Sequence, residues 1–229
     1  MLLTICSLFF PEKSDAETPS LSVAEKDYQS AVEYAYGMNK VRMDDTKVIE
    51  FLRRAAAQGL PEAEVSLAYV TNEGFFGLTK DSAKAVELAR QALAHGLIAR
   101  ANDGKATAQV ALARLYREGL GLEKDMSKAA EFYQKAADQG NASAQNALGL
   151  FYIGVNGDIS GLKKDAKKAV ELIRRAADQG DATAQFNLAL LYESGEGVDK
   201  DLNKAIELYR KSSTQGNEDA TATLRRLGK

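Results

Sequence analysis

The chain repeats itself, and that constrains its fold more than any other feature. Four segments share one ending: RRAAAQG at 53–59, QKAADQG at 134–140, RRAADQG at 174–180 and RKSSTQG at 210–216, with RQALAHG at 90–96 as a looser fifth copy. The closing glycines Gly59, Gly96, Gly140, Gly180 and Gly216 stand 37, 44, 40 and 36 residues apart. A second landmark keeps the same register. Asp44, Asp81, Asp125, Asp165 and Asp201 are each followed three residues later by Lys47, Lys84, Lys128, Lys168 and Lys204. A period of this size signals a solenoid, in which each unit buries its apolar face on its neighbours.

Each unit reads as two helices. In the last full copy these are DATAQFNLALLYESG and DLNKAIELYRKSSTQG, with Leu188, Leu191 and Tyr192 recurring at helical spacing, as do Ala205, Leu208 and Tyr209. Asp201 stands where an N-cap accepts hydrogen bonds from the free N–H groups of the first turn. Gly216 stands where a left-handed C-cap belongs. Four residues after the closing glycine, or after Gly104 in the third copy, comes Ala63, Ala108, Ala144, Ala184 or Ala220. Eight after comes Leu67, Leu112, Leu148, Leu188 or Leu224. The ninth is always small (Ala68, Ala113, Gly149, Ala189), as a close helix–helix approach needs. Gly149 costs the helix about 1 kcal/mol relative to Ala, so packing is the reason expected for it.

The pattern A-x-A-Q-x-x-L-G-x-L-Y-x-x-G-x-G-V-x-K-D-x-x-K-A-x-E-x-Y-x-K-A-A-x-Q-G resembles the Sel1-like repeat family, relatives of the tetratricopeptide repeat. The copy from Ala182 to Gly216 fits almost throughout, with Gly195, Gly197, Lys200 and Asp201 in place. Ala142–Gly180 fits with four extra residues in its internal loop, and Ala106–Gly140 fits well. The copy at 61–96 is degenerate, with Phe75-Phe76 in the loop and His95 in place of Gln; a more eroded copy covers roughly 24–59 (Tyr28, Val32, Tyr36, then Asp44). Residues 217–227 look like half a repeat closing the stack. The resemblance implies an all-α, right-handed superhelical solenoid of antiparallel helix pairs over 23–229, with about five repeats plus a C-terminal capping helix. It also implies a role in binding other proteins. Some small exported members act as immunity proteins that neutralise interbacterial toxins such as phospholipases, and a bacterial-type exported protein of this sort is one expectation here. A fold does not by itself give a function.

Composition closes off several other classes. The chain has 30 basic and 32 acidic residues, a net charge of −2 and a pI near 5.7, so no nucleic-acid partner is expected. One Cys and one His exclude a Cys/His zinc site and an internal disulfide framework. That separates the chain from the disulfide-rich secreted branch of the family. No catalytic residue, metal ligand or cofactor is expected. His95 aligns with Gln58, Gln139, Gln179 and Gln215 at a helix C-terminus, where the dipole favours a cation. No G-x-S-x-G elbow accompanies it. The pairs Gly119-Leu-Gly121 and Gly195-Glu-Gly197 are internal turns of the repeat that follow no strand, and Asn156-Gly-Asp158 has too few carboxylates for a calcium loop. A hydrolase with substrate in the groove is the alternative, and it lacks residues to carry it. The Lys and Glu residues read mostly as a solvated outer face with pairs such as Glu131–Lys135.

Residues 1–22 stand apart from the solenoid. Met1–Phe10 (MLLTICSLFF) is an apolar run stopped by Pro11, well short of the roughly 20 residues a membrane-spanning helix needs. It matches a secretory h-region, with Ser14-Asp15-Ala16 as a cleavage pattern before Glu17. The charged n-region is missing, as in a signal whose true start lies upstream. Leu3-Thr4-Ile5-Cys6 resembles a lipoprotein box, although Ile5 is too bulky for its position. The expectation is a periplasmic or secreted protein, the alternative a cytoplasmic chain with an apolar tail.

The positions that the repeat leaves free carry the functional reading. Residues 3, 6, 10 and 13 after the closing glycine share one face of the first helix, which in such a superhelix lines the concave surface. They are Glu62, Val65, Tyr69 and Asn72; Thr107, Val110, Arg114 and Arg117; Ser143, Asn146, Leu150 and Ile153; Thr183, Phe186, Leu190 and Glu193. A solvated stripe would be polar. Val65, Tyr69, Val110, Arg114, Arg117, Asn146, Leu150, Ile153, Phe186, Leu190 and Glu193 give instead the mixture of aromatic, aliphatic and Arg side chains found at interface centres. Two readings follow: a groove for a protein partner such as a toxin or an envelope protein, or packing inside a tightly curved solenoid. Self-association is a third use of the same surface. Insertions at 97–104 and 154–161 are expected to project from opposite edges of the stack, as contacts or as neutral drift.

Overall fold

The computed structural model describes residues 21–36, 44–154 and 162–229. The apolar leader, Cys6, Asn156-Gly-Asp158 and most of the second insertion lie outside these residues. Twelve helices follow one another: α1 (Val23–Tyr36), α2 (Asp45–Ala57), α3 (Pro61–Glu73), α4 (Ser82–Ala94), α5 (Leu97–Asn102), α6 (Ala106–Glu118), α7 (Met126–Asp138), α8 (Ala142–Ile153), α9 (Ala166–Asp178), α10 (Ala182–Ser194), α11 (Leu202–Thr214) and α12 (Glu218–Arg226). The chain forms two compact units that divide within α7, between Phe132 and Tyr133. In the N-terminal unit α1 packs on α2, α2 on α3, α3 on α4 and on α6, and α5 on α6. In the C-terminal unit α8 packs on α9 and α10, α9 on α10, α10 on α11 and α11 on α12. Each unit is thus built from helix pairs of the solenoid class, and the short helix α12 closes the C-terminal unit.

The Asp/Lys landmark has a physical cause in every copy. The aspartate N-caps the second helix of its pair, its Oδ1 accepting from the backbone N–H of Lys47 (3.1 Å), Lys84 (2.9 Å), Lys128 (2.9 Å), Lys168 (3.0 Å) and Lys204 (3.1 Å). These bonds hold the Asp125 and Asp201 carboxyls below the usual carboxylate range. The same aspartate donates its own N–H back to the end of the first helix. The acceptors are the carbonyls of Tyr34 (3.3 Å), Thr71, Tyr116, Tyr152 and Tyr192 (each 2.9 Å). The lysine then lies over the ring of that tyrosine, with Nζ 4.6, 5.1, 4.4 and 5.4 Å from the centroids of Tyr34, Tyr116, Tyr152 and Tyr192. Such a cation–π contact contributes about 0.5–1 kcal/mol at an exposed site. The second copy has Thr71 in place of the tyrosine, and Lys84 turns to Glu87 (2.7 Å).

The closing glycines have φ between +75° (Gly59) and +97° (Gly180), the left-handed end of each second helix that the sequence predicts. The alanines four residues on (Ala63, Ala108, Ala144, Ala184, Ala220) are fully buried, and the leucines eight residues on are buried. At Gly149 a Cβ would lie 2.5 Å from Ile173 Cγ1 and 3.1 Å from the Ala169 carbonyl, so α8 meets α9 where no side chain fits. The insertion at 97–104 differs from the projecting loop that the sequence suggests. It folds into α5, because Leu97 and Ala101 are apolar at helical spacing, and both are buried against the stack. Gly149→Ala is expected to lower stability by about 1–3 kcal/mol, overpacking outweighing the roughly 1 kcal/mol gain in helix propensity. Urea unfolding checks it; an unchanged or raised midpoint would contradict the packing account.

Candidate functional site

In the N-terminal unit the predicted stripe runs along α3 and α6, and most of it is buried. Val65 (1% exposed), Tyr69, Val110 and Arg114 are all shut away from solvent. Tyr69 lies beside Phe75, with ring centroids 6.1 Å apart, and desolvation pushes its hydroxyl pKa up to about 12 against the pull of the Arg117 and Arg114 charges. Arg117 is partly open and its Nε donates to Glu118 Oε1 at 2.7 Å. Glu62, at the start of the stripe, is buried, and its Oε1 accepts from Arg100 Nε (3.2 Å), Arg100 Nη2 (3.0 Å) and Thr107 Oγ1 (3.1 Å). Arg100 also reaches Glu25 at 3.5 Å, and the hydrogen bond from Lys105 at 2.7 Å holds the Glu25 carboxyl down to about 2. The inserted helix α5 therefore supplies the cation for a buried carboxylate. The sequence alone does not reveal that role.

In the C-terminal unit the stripe runs along α8 and α10 and is more open. Asn146 (0% exposed) and Phe186 (7%) are buried. Phe186 packs into the cluster of Ala189, Ala205, Tyr209, Ala220 and Leu224, its ring 5.5 Å from that of Tyr209. Leu150, Ile153 and Leu190 are partly exposed at the margins of the clusters beneath them. Glu193 accepts from the Tyr209 hydroxyl (2.6 Å) and from Arg226 (3.0 Å), and these bonds hold its carboxyl below the usual range. Its stabilising contribution is therefore present above the unfolded carboxylate pKa and lost as the pH falls through the lower folded value.

Between α8 and α10 lies a polar feature that the stripe only half captures. Asn187 Nδ2 donates to Asn146 Oδ1 at 2.9 Å. Both residues are buried, yet Asn146 Nδ2, Asn187 Oδ1 and the hydroxyl of buried Thr183 have no hydrogen-bond partner among the described residues. Each unmet buried group costs about 1–3 kcal/mol. Asn187 escapes the sequence reading because it falls at the seventh position after the closing glycine, where Ala147 stands in the preceding copy. Among the described residues no group of three or more His, Cys, Asp or Glu is placed to hold a metal ion. No helix there is long and apolar enough to cross a membrane.

The model of the Sel1 repeat family matches residues 27–60, 61–97, 106–141, 142–181 and 182–217. The chain is a Sel1 repeat protein. A solved Sel1 repeat protein from Oxalobacter formigenes is 29% identical to it, with a TM-score of 0.54 over 88% of this chain and 74% of that one. The immunity protein Pa5087 from Pseudomonas aeruginosa shares the fold at 24% identity (TM-score 0.52, 89% of this chain, 70% of that one). So does a putative Sel1 repeat protein from Klebsiella pneumoniae at 21% (TM-score 0.51, 90% and 93%). No curated protein matches in sequence.

The Sel1 register also explains His95. In the last two repeats, the glutamine before the closing glycine donates to a glutamine on the first helix of its repeat, Gln179 to Gln145 at 2.7 Å and Gln215 to Gln185 at 2.8 Å. In the N-terminal unit Gln58 donates to Asp27 (2.9 Å), and His95 Nδ1 meets Glu64 Oε1 at 2.7 Å. His95 and Glu64 are thus the ionisable version of a structural rung. Burial raises the Glu64 pKa more than the His95 hydrogen bond lowers it. A raised folded pKa means that stability is lost as the pH rises through it, so the carboxylate is a burden at neutral pH. Glu64→Gln with His95→Gln is expected to raise the Tm by about 2–4 °C at pH 7, the shift that about 1 kcal/mol produces in a chain of this size. The gain should shrink toward pH 4, and a lowered Tm at pH 7 would contradict it.

Proposed function

We propose that this Sel1 repeat protein is a binding module for another protein, without catalytic activity of its own. The α8/α10 face of its C-terminal unit is the principal contact. The family is a protein-interaction scaffold, which supports the coarse reading. The carrying observation for the face is the company that Leu150, Ile153 and Leu190 keep. These aliphatic side chains are partly open to solvent on the same two helices as buried polar groups that have no hydrogen-bond partner among the described residues. Internal packing leaves few such groups unmet, and on α8 and α10 they coincide with open aliphatic side chains. Phe186 belongs to the core beneath, and its substitution would test folding rather than binding. In the N-terminal unit Asn72, Thr107 and Arg117 are the stripe residues left partly open, and Arg117 is read as an accessory contact.

Export through the Met1–Phe10 segment is part of the proposal, and the intact mass of the protein from its host tests it: a chain beginning at Glu17 supports it, an intact Met1 overturns it. The narrower reading, a toxin as partner, draws on the family resemblance, and at 24% identity the likeness to Pa5087 speaks for the fold alone. Leu150→Glu with Leu190→Glu in the full chain is expected to abolish a stoichiometric heterologous complex while shifting the Tm by only a few degrees. Co-purification with quantitative mass spectrometry and light scattering read it out. Retention of the complex would remove the face from the account, and loss of a homo-oligomer alone would replace the partner with a second copy.

A further inference from the structure

We propose that Glu64 is a proton-operated latch between the first two repeats: with a proton on Oε2 it donates to the main-chain carbonyl of Ala56, and on ionising it lets that link go. The latch lies in the N-terminal unit and stands apart from the binding face. It follows from what the fifth residue after the closing glycine does elsewhere in the stack. Gln145 and Gln185 use both ends of the side-chain amide. The oxygen accepts from the glutamine that ends the same repeat, Gln179 at 2.7 Å or Gln215 at 2.8 Å. The nitrogen donates to a carbonyl eight residues back, in the last turn of the preceding helix: Gln145 to Ala137 at 3.4 Å and Gln185 to Ala177 at 3.3 Å. Gln109, five residues after Gly104, reaches the Ala101 carbonyl in the same way at 3.0 Å. These three carbonyls also accept from the backbone N–H of Gly140, Gly180 and Gly104.

Glu64 stands at this position in the second repeat, and the carbonyl eight residues back is that of Ala56, which accepts from the Gly59 N–H at 2.8 Å as its counterparts do from theirs. Glu64 Oε1 makes the rung within the repeat, to His95 Nδ1 at 2.7 Å. Oε2 is buried and has no hydrogen-bond partner among the described residues. An ionised carboxylate only accepts and cannot bond a carbonyl; a carboxylic acid accepts at one oxygen and donates at the other, the same pair that glutamine offers. A proton taken from solvent therefore restores at the first junction the bond that glutamine makes at later ones. Burial favours the neutral acid and raises the Glu64 pKa against the pull of His95, the ionisable group that acts on it. On the helices packed against α3, Arg54 of α2 turns to Asp27 at 2.8 Å, Lys84 and Glu87 of α4 pair at 2.7 Å, and Arg117 of α6 turns to Glu118 at 2.7 Å. The Arg114 charge acts on Tyr69, and Glu62 on α3 itself is held by Arg100. A folded pKa above the unfolded one gives stability that is complete below the unfolded value and lost as the pH rises through the folded value. The first junction is thus tight in mild acid and slackens toward neutral pH.

The test is carbon-13 NMR of the labelled full chain as the pH is lowered from about 8 to about 4, across the carboxylate range. The Glu64 carboxyl is expected to titrate above the ordinary carboxylate value, and the Ala56 carbonyl resonance to move downfield with the same midpoint, as a carbonyl does on gaining a hydrogen bond. The carbonyls of Ala137 and Ala177, already bonded to glutamine, are expected to stay where they are. In Glu64→Gln the Ala56 carbonyl is expected at its bonded position at every pH. Hydrogen-exchange protection of α2 is expected to rise about fivefold on acidification in the native chain, the weight of one hydrogen bond, and to lose that step in the variant. An Ala56 carbonyl that stays put while Glu64 titrates would overturn the latch and leave only a buried charge. A Glu64 carboxyl that titrates in the ordinary range would overturn it as well. The two titrations in the native chain decide the matter even if the variant fails to fold.

Discussion

The amide of one aspartate per repeat ties the two helices of each pair together, and the rest of the architecture hangs from that tie. The aspartate caps its own helix through its side chain and returns its backbone N–H to the last turn of the helix before it, in all five copies. One residue thereby fixes where the second helix begins and how closely it lies against the first. The lysine three residues on adds its ammonium to the tyrosine whose carbonyl has just been used. Where the ring is absent, at Thr71, that contact is absent too, and the backbone tie remains. The backbone bond is thus the constant element and the cation–π contact a variable supplement.

A second link runs between the C-terminal end of a repeat and its own first helix in four of the five copies. The side-chain rung is Gln to Gln in the C-terminal unit and carboxylate to Gln or His in the N-terminal unit. Neutral rungs satisfy a buried position without a desolvation cost, whereas Glu64 carries one. The N-terminal unit also buries Glu62 and draws on an inserted helix to neutralise it. Charge is concentrated in that unit's interior, and the unmet polar groups between α8 and α10 are neutral.

How much of this was legible in the sequence follows from what repeats. The helix pairs, their N-caps and their closing glycines recur in register, and the structure places them there. Gly149 was readable as a packing position because its neighbours in register are alanines, and Ile173 is the side chain that fills the space. The α5 helix was not readable as a packed element, since a six-residue stretch has no copy to compare with. Nor was its Arg100–Glu62 contact, which joins residues 38 apart through tertiary structure alone. Periodicity puts the stripe residues on the first helices but cannot report depth: Val65, Asn146 and Phe186 are buried while Leu150 and Leu190 on the same stripe are partly open. Asn187 lay outside the stripe because a four-residue step returns to nearly, not wholly, the same direction.

Two helices of one unit therefore combine partly exposed aliphatic side chains with an internally bonded amide pair whose remaining groups are unmet. Natural proteins keep such groups where they serve binding, at the expense of stability. Hydrogen–deuterium exchange of the full chain, with and without its captured partner, tests this most directly. Added protection concentrated in Ala142–Ile153 and Ala182–Ser194 is the predicted result. Protection confined to Ala166–Asp178 and Leu202–Thr214, the second helices of the same repeats, would contradict it.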